Sequence, residues 1–310
     1  MKKRPGDRPF FYRRSTLGLL KSRRVNLTPW YFLTIPLIIY FLWVIGPMFY
    51  TFYLSMTNWD GLSDPKFIGL KNYIKLFKDP VFFVSLKNNL IWVFSFITIP
   101  VVIGLALAMI LNQSVPGSRF FKASFYSPMV LSLVVCGLVW SWLYNPAQGL
   151  LNTFFRSVGL ESLAKGWLSD PDLVLGSIIA VAIWRQVGYV MILFLAGLQS
   201  VDPFLVEASK IDGCNSWKTF IHVVLPQLQP VTIVVVVISI IDSLRAFDLV
   251  SVMTRGGPFN RSSVLANFMY IVSFNNYKMG YGAAVAVILF LISFVFIMLY
   301  LSQISKEENY

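Results

Sequence analysis

Six stretches of this chain are long and apolar enough to cross a lipid bilayer, roughly residues 30–54, 89–111, 125–144, 173–198, 223–250 and 282–301. Each crossing takes about 20 predominantly apolar residues, because hydrocarbon leaves every backbone N–H and C=O to be paired inside its own helix. With 56% hydrophobic and 13% charged residues among 310, the chain reads as an all-α polytopic membrane protein, and its length counts spans rather than soluble domains. Six crossings put both termini on one side. Pro36, Pro47, Pro100 and Pro128 lie inside or at the ends of these stretches and predict kinks rather than boundaries.

The formal net charge is +12, but nine of the 26 Lys and Arg residues fall in the first 24 positions. A basic block just before the first apolar run marks a cytoplasmic amino terminus near anionic lipid, not a nucleic-acid site. The expected division is a basic amino-terminal segment over 1–29, a six-span domain over 30–301 and a cytoplasmic tail over 302–310. Loop counting argues the other way, since the first outer loop carries Lys66, Lys71, Lys75, Lys78 and Lys87. The first segment usually dominates, and the assignment follows it. Two cysteines and one histidine make neither a disulfide framework nor a metal site, and no nucleotide-binding or catalytic motif is present. Any ATP used must be bound by another chain.

Outside the spans, Asn58, Trp59, Asp60 and Gly61 read as a turn. Leu70, Tyr73, Ile74 and Phe77 have the spacing of a short amphipathic helix, and residues 145–172 form a second outer excursion. The loop over 200–226 is the most informative. Asp202 is an N-cap, Pro203 fits the first helical position and Gly213 supplies a left-handed stop. The helix between them is too short to be stable alone, so Phe204, Leu205, Ala208 and Ile211 must pack on something. A second helix start follows at Ser216. Two such helices form either a protruding knob for another protein or a pair lying on lipid.

The spacing Glu207-Ala208-Ser209, three residues, Gly213, nine residues, Val223, one residue, Leu225-Pro226 resembles the EAA loop of permease subunits of binding-protein-dependent ATP-binding-cassette importers. Ser209 stands where the motif has a second alanine, and Val223 where it has isoleucine. Further stretches resemble the sugar-importer branch, of the maltose type that pairs with a second permease: Phe67 to Tyr73, Trp167 to Pro171, Leu195 to Gln199 and Gly256-Gly257-Pro258. The resemblance implies a type I importer fold in a bacterial or archaeal cell membrane, and no enzyme activity. It also implies four partners: a second, non-identical permease, two ATPase subunits and an extracytoplasmic solute-binding protein. Glu207, Ala208, Ser209, Asp212, Gly213, Leu225 and Pro226 would then couple the chain to an ATPase.

Charges inside the spans are costly unless they face protein or water. Asp242, Arg245 and Asp248 follow i, i+3, i+6 spacing on the fifth span, so Arg245 could pair with either carboxylate on one helical face. This is either a self-neutralising packing cluster or part of a solute site. Ser239, Ser243 and Ala246 form a neighbouring stripe, and Arg185 and Gln186 lie midway along the fourth span. In the maltose-type relatives the positions matching Met129, Leu133, Ala182, Arg185, Gln186, Ser239, Ser243 and Ala246 contact sugar. Trp140, Trp142, Trp184 and Tyr189 are nearby rings for stacking or for packing. The expected solute is a sugar, then a polyol or glycoside, then glycerol phosphate. A self-sufficient secondary transporter would show internal repeats, and none is visible.

Overall fold

The computed structural model describes residues 28–113 and 116–307, so all nine basic residues of the amino-terminal block lie outside the described residues. The chain divides into two units, residues 1–49 and 50–310. In the first, α1 (Thr28–Tyr40) contains Pro36 and leads through a π-helical turn, Phe41–Ile45, into α2 (Gly46–Ser55), which continues into the second unit.

The second unit carries a two-stranded ribbon of β1 (Thr57–Asn58) and β2 (Lys66–Phe67), then α3 (Lys71–Leu76) and α4 (Pro80–Asn112). Next come α5 (Ser118–Val130), α6 (Leu133–Leu143), α7 (Leu150–Ser157), α8 (Val174–Leu198), α9 (Pro203–Ile211) and α10 (Ser216–Thr219). The chain then runs through α11 (Leu225–Gln227), α12 (Gln229–Leu244), α13 (Asp248–Met253), α14 (Leu265–Tyr270) and α15 (Met279–Glu307). Among the described residues, four helical runs are long and apolar enough to cross a membrane, and six are if each bent pair counts as one span.

The bent pairs are the third and fifth expected spans. The α5–α6 pair turns by 100° and the pair 216–227 and 229–253 by 69°. Pro100 sits inside an unbroken α4, whereas the 100° turn follows Pro128, with Ser132 capping α6 through the Val135 N–H. The fifth span breaks a second time, because α12 ends at Leu244 and α13 begins at Asp248. The expected i, i+3, i+6 face is therefore not continuous.

α4 starts nine residues before the expected span. The Asp79 carboxylate accepts the Val81 N–H at 2.9 Å and Pro80 takes the first position. α4 and α8 pack along one another, with Ala108 and Leu111 against Val190, Met191 and Phe194 near one end, and Trp92 and Phe96 near Ile178, Val181 and Ala182 further along. Lipid tails are as apolar as leucine, so close approach must hold such helices together. Gly188 shows it: a Cβ there would collide with the Phe125 carbonyl of α5.

The ends of α4 define two ends of the second unit. At its amino end, Asn88 Nδ2 donates to the carbonyls of Arg261 (2.8 Å) and Ser263 (2.7 Å), and Asn89 Oδ1 accepts the Leu265 N–H at 2.7 Å. α15 begins at that same end, where the Tyr281 hydroxyl meets Asp79 at 2.9 Å and Gly280 N–H donates to Trp59 O at 3.0 Å. The expected amphipathic helix is present as α3 but turned. Asn72 and Leu76 are buried, while Leu70, Ile74 and Phe77 are exposed. The nearby turn is fixed by Asp60, whose carboxyl is held down to about 2 by the N–H groups of Ser63 and Leu62 and the Ser63 hydroxyl. At the carboxyl end of α4, Asn112 and Gln113 face the loop that carries α9 and α10.

Candidate functional site

Two constructions stand out, a cavity midway along α4 and the short-helix loop at its carboxyl end. The cavity has a volume of about 340 Å³ and is walled by six elements. α4 gives Trp92 and Phe96, α5 Met129, α6 Leu133, and α8 Ala182, Arg185 and Gln186. The fifth span contributes Asp242 before its break, Arg245, Ala246 and Phe247 in it, and Asp248 and Leu249 after it.

The breaks produce this wall. A turn of 100° leaves the last carbonyls of α5 without helical partners. Arg185 supplies them: Nη2 donates to Met129 O at 3.2 Å and Nε to Leu131 O at 3.3 Å. Gln186 Nε2 reaches Asp242 Oδ2 at 3.5 Å, a long contact, and bridges α8 to α12. No ion pair within 4.0 Å joins Arg245 to Asp242 or Asp248; Arg245 is the C-cap of α12, and the helix stops between it and Asp248. Arg185, Asp242, Arg245 and Asp248 thus share one cavity wall.

Of the expected solute-contact residues, Met129, Arg185, Gln186 and Ala246 come together on this wall, with Leu133 and Ala182. Ser239 and Ser243 do not line it. Both are fully buried, and the Ser243 hydroxyl is turned back to Ile240 O at 2.7 Å. The break rotates Ala246 away from the stripe it would share with them on a continuous helix. Trp140 packs on Trp184 and Tyr144 at ring separations of 5.4 and 5.2 Å, away from the cavity wall. Trp92, Phe96 and Phe247 supply the aromatic lining instead, and the i, i+4 spacing of Trp92 and Phe96 is the one sequence signal that marks two of them.

At the other construction, the Asp202 carboxylate accepts the Phe204 N–H at 2.9 Å, Pro203 opens α9, and Gly213 has φ +82° just beyond its end. Asp202 N–H donates to Gln227 Oε1 at 2.9 Å, and Ser209 Oγ meets Thr219 Oγ1 at 3.0 Å, so α9 is fastened to the following turns at two points. The second helix start is capped by Asn215, one residue before Ser216. Phe204, Leu205 and Ile211 find no cover in this chain: they are 79%, 51% and 87% exposed. Glu207, Ala208, Asp212, Leu225 and Pro226 are exposed as well, and Ser209 alone of the loop residues named for coupling is buried.

The bundle with its broken third and fifth spans defines a multi-pass helical membrane protein. The family model described as the binding-protein-dependent transport system inner membrane component matches residues 90–305, and the chain belongs to that family. It is 38% identical to a probable ABC transporter permease protein of Pyrococcus horikoshii, over 90% of this chain and 96% of the relative. Identity is 33% to a probable starch degradation products permease protein of Thermoanaerobacterium thermosulfurigenes, over 90% of this chain and 95% of that one. It is 35% to a multiple sugar-binding transport permease protein of Streptococcus mutans, over 85% and 90%. The crystal structure of a bacterial ABC transporter that imports alginate has the same fold, with a TM-score of 0.78 at 22% identity over 91% of this chain and 96% of that one. The protein is an ABC importer permease with sugar-transport homologues, a transport component rather than an enzyme.

Proposed function

We propose that this permease forms part of the pathway of an ATP-driven importer for a sugar or related polyhydroxy solute, and that α9 couples it to a partner ATPase. The observation that carries the coupling is the capped, doubly fastened α9 with Phe204, Leu205 and Ile211 exposed. A helix this short transmits force only if it moves as a rigid body, and its caps and fastenings supply the rigidity. In this reading the α9 end and both termini face the cytoplasm, ATP is bound by two partner ATPase subunits, and a second permease completes the pathway. A solute-binding protein delivers its load at the α3 end.

For the solute, Arg185 and Gln186 donate and Asp242 and Asp248 accept, while Phe247 offers a flat apolar face backed by the buried rings of Trp92 and Phe96. That combination suits hydroxyl groups on a ring with apolar C–H faces. With two arginines and two aspartates the wall has no net formal charge, which favours a neutral solute over an anion such as glycerol phosphate. Among relatives, printed solutes include starch degradation products, xylose or arabinose, and diacetylchitobiose.

The test is solute-stimulated ATP hydrolysis by the reconstituted complex. Glu207→Lys or Gly213→Trp should leave the chain inserted and abolish stimulation, and wild-type stimulation and uptake in both variants would refute the coupling role.

A further inference from the structure

The segment 265–278 enters and leaves at the α3 end of the bundle, anchored where Leu265 N–H meets Asn89 Oδ1 at 2.7 Å and where Gly280 N–H meets Trp59 O at 3.0 Å. Within it, Asn267 and Phe268 are buried, and Phe268 packs edge-on against Tyr281 at 6.3 Å. Two residues on, at about 200° around the helix, Tyr270 points to the opposite face. There its ring centroid lies 5.2 Å from that of Phe247 and 5.2 Å from that of Phe274, tilted by 54° and 38°. Phe247 is itself on the cavity wall, so three rings run without interruption from the cavity to exposed surface, with Tyr270 40% and Phe274 53% exposed.

Two features separate this ladder from a lipid-facing stripe. Its inner end opens on a cavity holding two arginines and two aspartates, and its outer end is flanked by exposed Asn275 and Asn276. The exposed stripe of α15, with Leu291, Phe294, Val295, Met298 and Leu299, is apolar throughout. The π-helical turn Ile271–Asn275 holds Phe274 next to Tyr270 rather than letting the helix end at Tyr270.

We infer that Phe247, Tyr270 and Phe274 form a stacking track that takes a sugar ring between the outer mouth and the central cavity. The inference rests on the sugar-importer reading above. An aromatic face holds the C–H side of a sugar by contact while leaving its hydroxyls to water, and successive weak contacts let the solute move on rather than stay.

The experiment is uptake by the complete complex in vesicles, assayed with radiolabelled xylose, arabinose, maltose and diacetylchitobiose, beside yield and thermal stability of the assembled complex. Tyr270→Phe and Tyr270→Trp keep a ring, whereas Tyr270→Leu and Phe274→Leu keep apolar volume and lose it. Expected is a fall in kcat/KM of about three- to tenfold in the leucine variants, with the ring-keeping variants near wild type and assembly unchanged. Leucine variants that transport like wild type overturn the track, because the rings then only cover lipid or a neighbouring permease. So does a fall confined to complex yield, with kcat/KM per assembled complex unchanged. If the wild-type complex takes up none of the four sugars and its solute-binding protein binds a non-carbohydrate in calorimetry, the sugar reading itself fails, and the track fails with it.

Discussion

Arg185 Nη2 donates to the carbonyl of Met129 at 3.2 Å, tying the middle of α8 to the end of α5 where the third span turns by 100°. One side chain thus satisfies backbone freed by a break between two apolar helices and, from the same position, presents charge to the cavity. The break and the cavity wall are a single construction.

Arg185→Ala should therefore destabilise the fold as well as the site. Leaving the carbonyls of Met129 and Leu131 without a partner in low dielectric costs about 1–3 kcal/mol. The check is the thermal midpoint of the purified complex beside uptake. An unchanged midpoint would mean that water or lipid replaces the guanidinium without loss.

Ser243→Leu and Ala246→Leu should part company. Ser243 is fully buried between α12 and its neighbours, so three added carbons overpack it, at a cost of about 1–3 kcal/mol, and assembly should fall. Ala246 faces the cavity, so leucine there should spare co-purification and reduce uptake by filling the space. The opposite pattern would put Ser243 on the pathway after all.

Asn88→Ala removes two hydrogen bonds that hold the Arg261 and Ser263 carbonyls and leaves the 254–264 loop tied mainly through Ser85 and Asn89. That loop presents Phe259, 87% exposed at φ 51°, beside exposed Arg255 and Arg261. Hydrogen exchange over residues 256–263 should speed up while exchange along α8 stays as in the wild type. In the importer reading, affinity for the solute-binding protein should drop with it. Unchanged exchange would show that the loop holds its own shape.

Local chemistry carried most of what the sequence revealed. The Asp202 cap, Pro203 and the Gly213 stop act within one helix, so the ends of α9 were readable residue by residue. The start of α4 was not, because the apolar run begins only at residue 89, whereas the helix starts at Pro80 and its buried Asn88 and Asn89 hold the Arg261 and Ser263 carbonyls and the Leu265 N–H. The breaks at 131–132 and 245–247 carry no glycine or proline of their own. The first follows Pro128, whose kink the sequence marks, and Arg185 pairs the carbonyls beside it; nothing local marks the second. That is why the cavity took in Asp242, Arg245 and Asp248 as wall residues, left out Ser239 and Ser243, and drew its rings from α4 and Phe247 rather than from Trp140 or Trp142.

If α9 couples this chain to an ATPase, its exposed face transmits ATP-driven motion to the cavity. The most direct measurement is ATP hydrolysis by the reconstituted complex carrying Ile211→Glu, with and without solute-loaded binding protein, because Ile211 is 87% exposed and its replacement disturbs nothing packed within this chain. Expected are normal insertion and thermal stability with stimulation lost, because a charge is forced into an apolar contact between subunits. Stimulation and uptake equal to wild type would contradict the coupling.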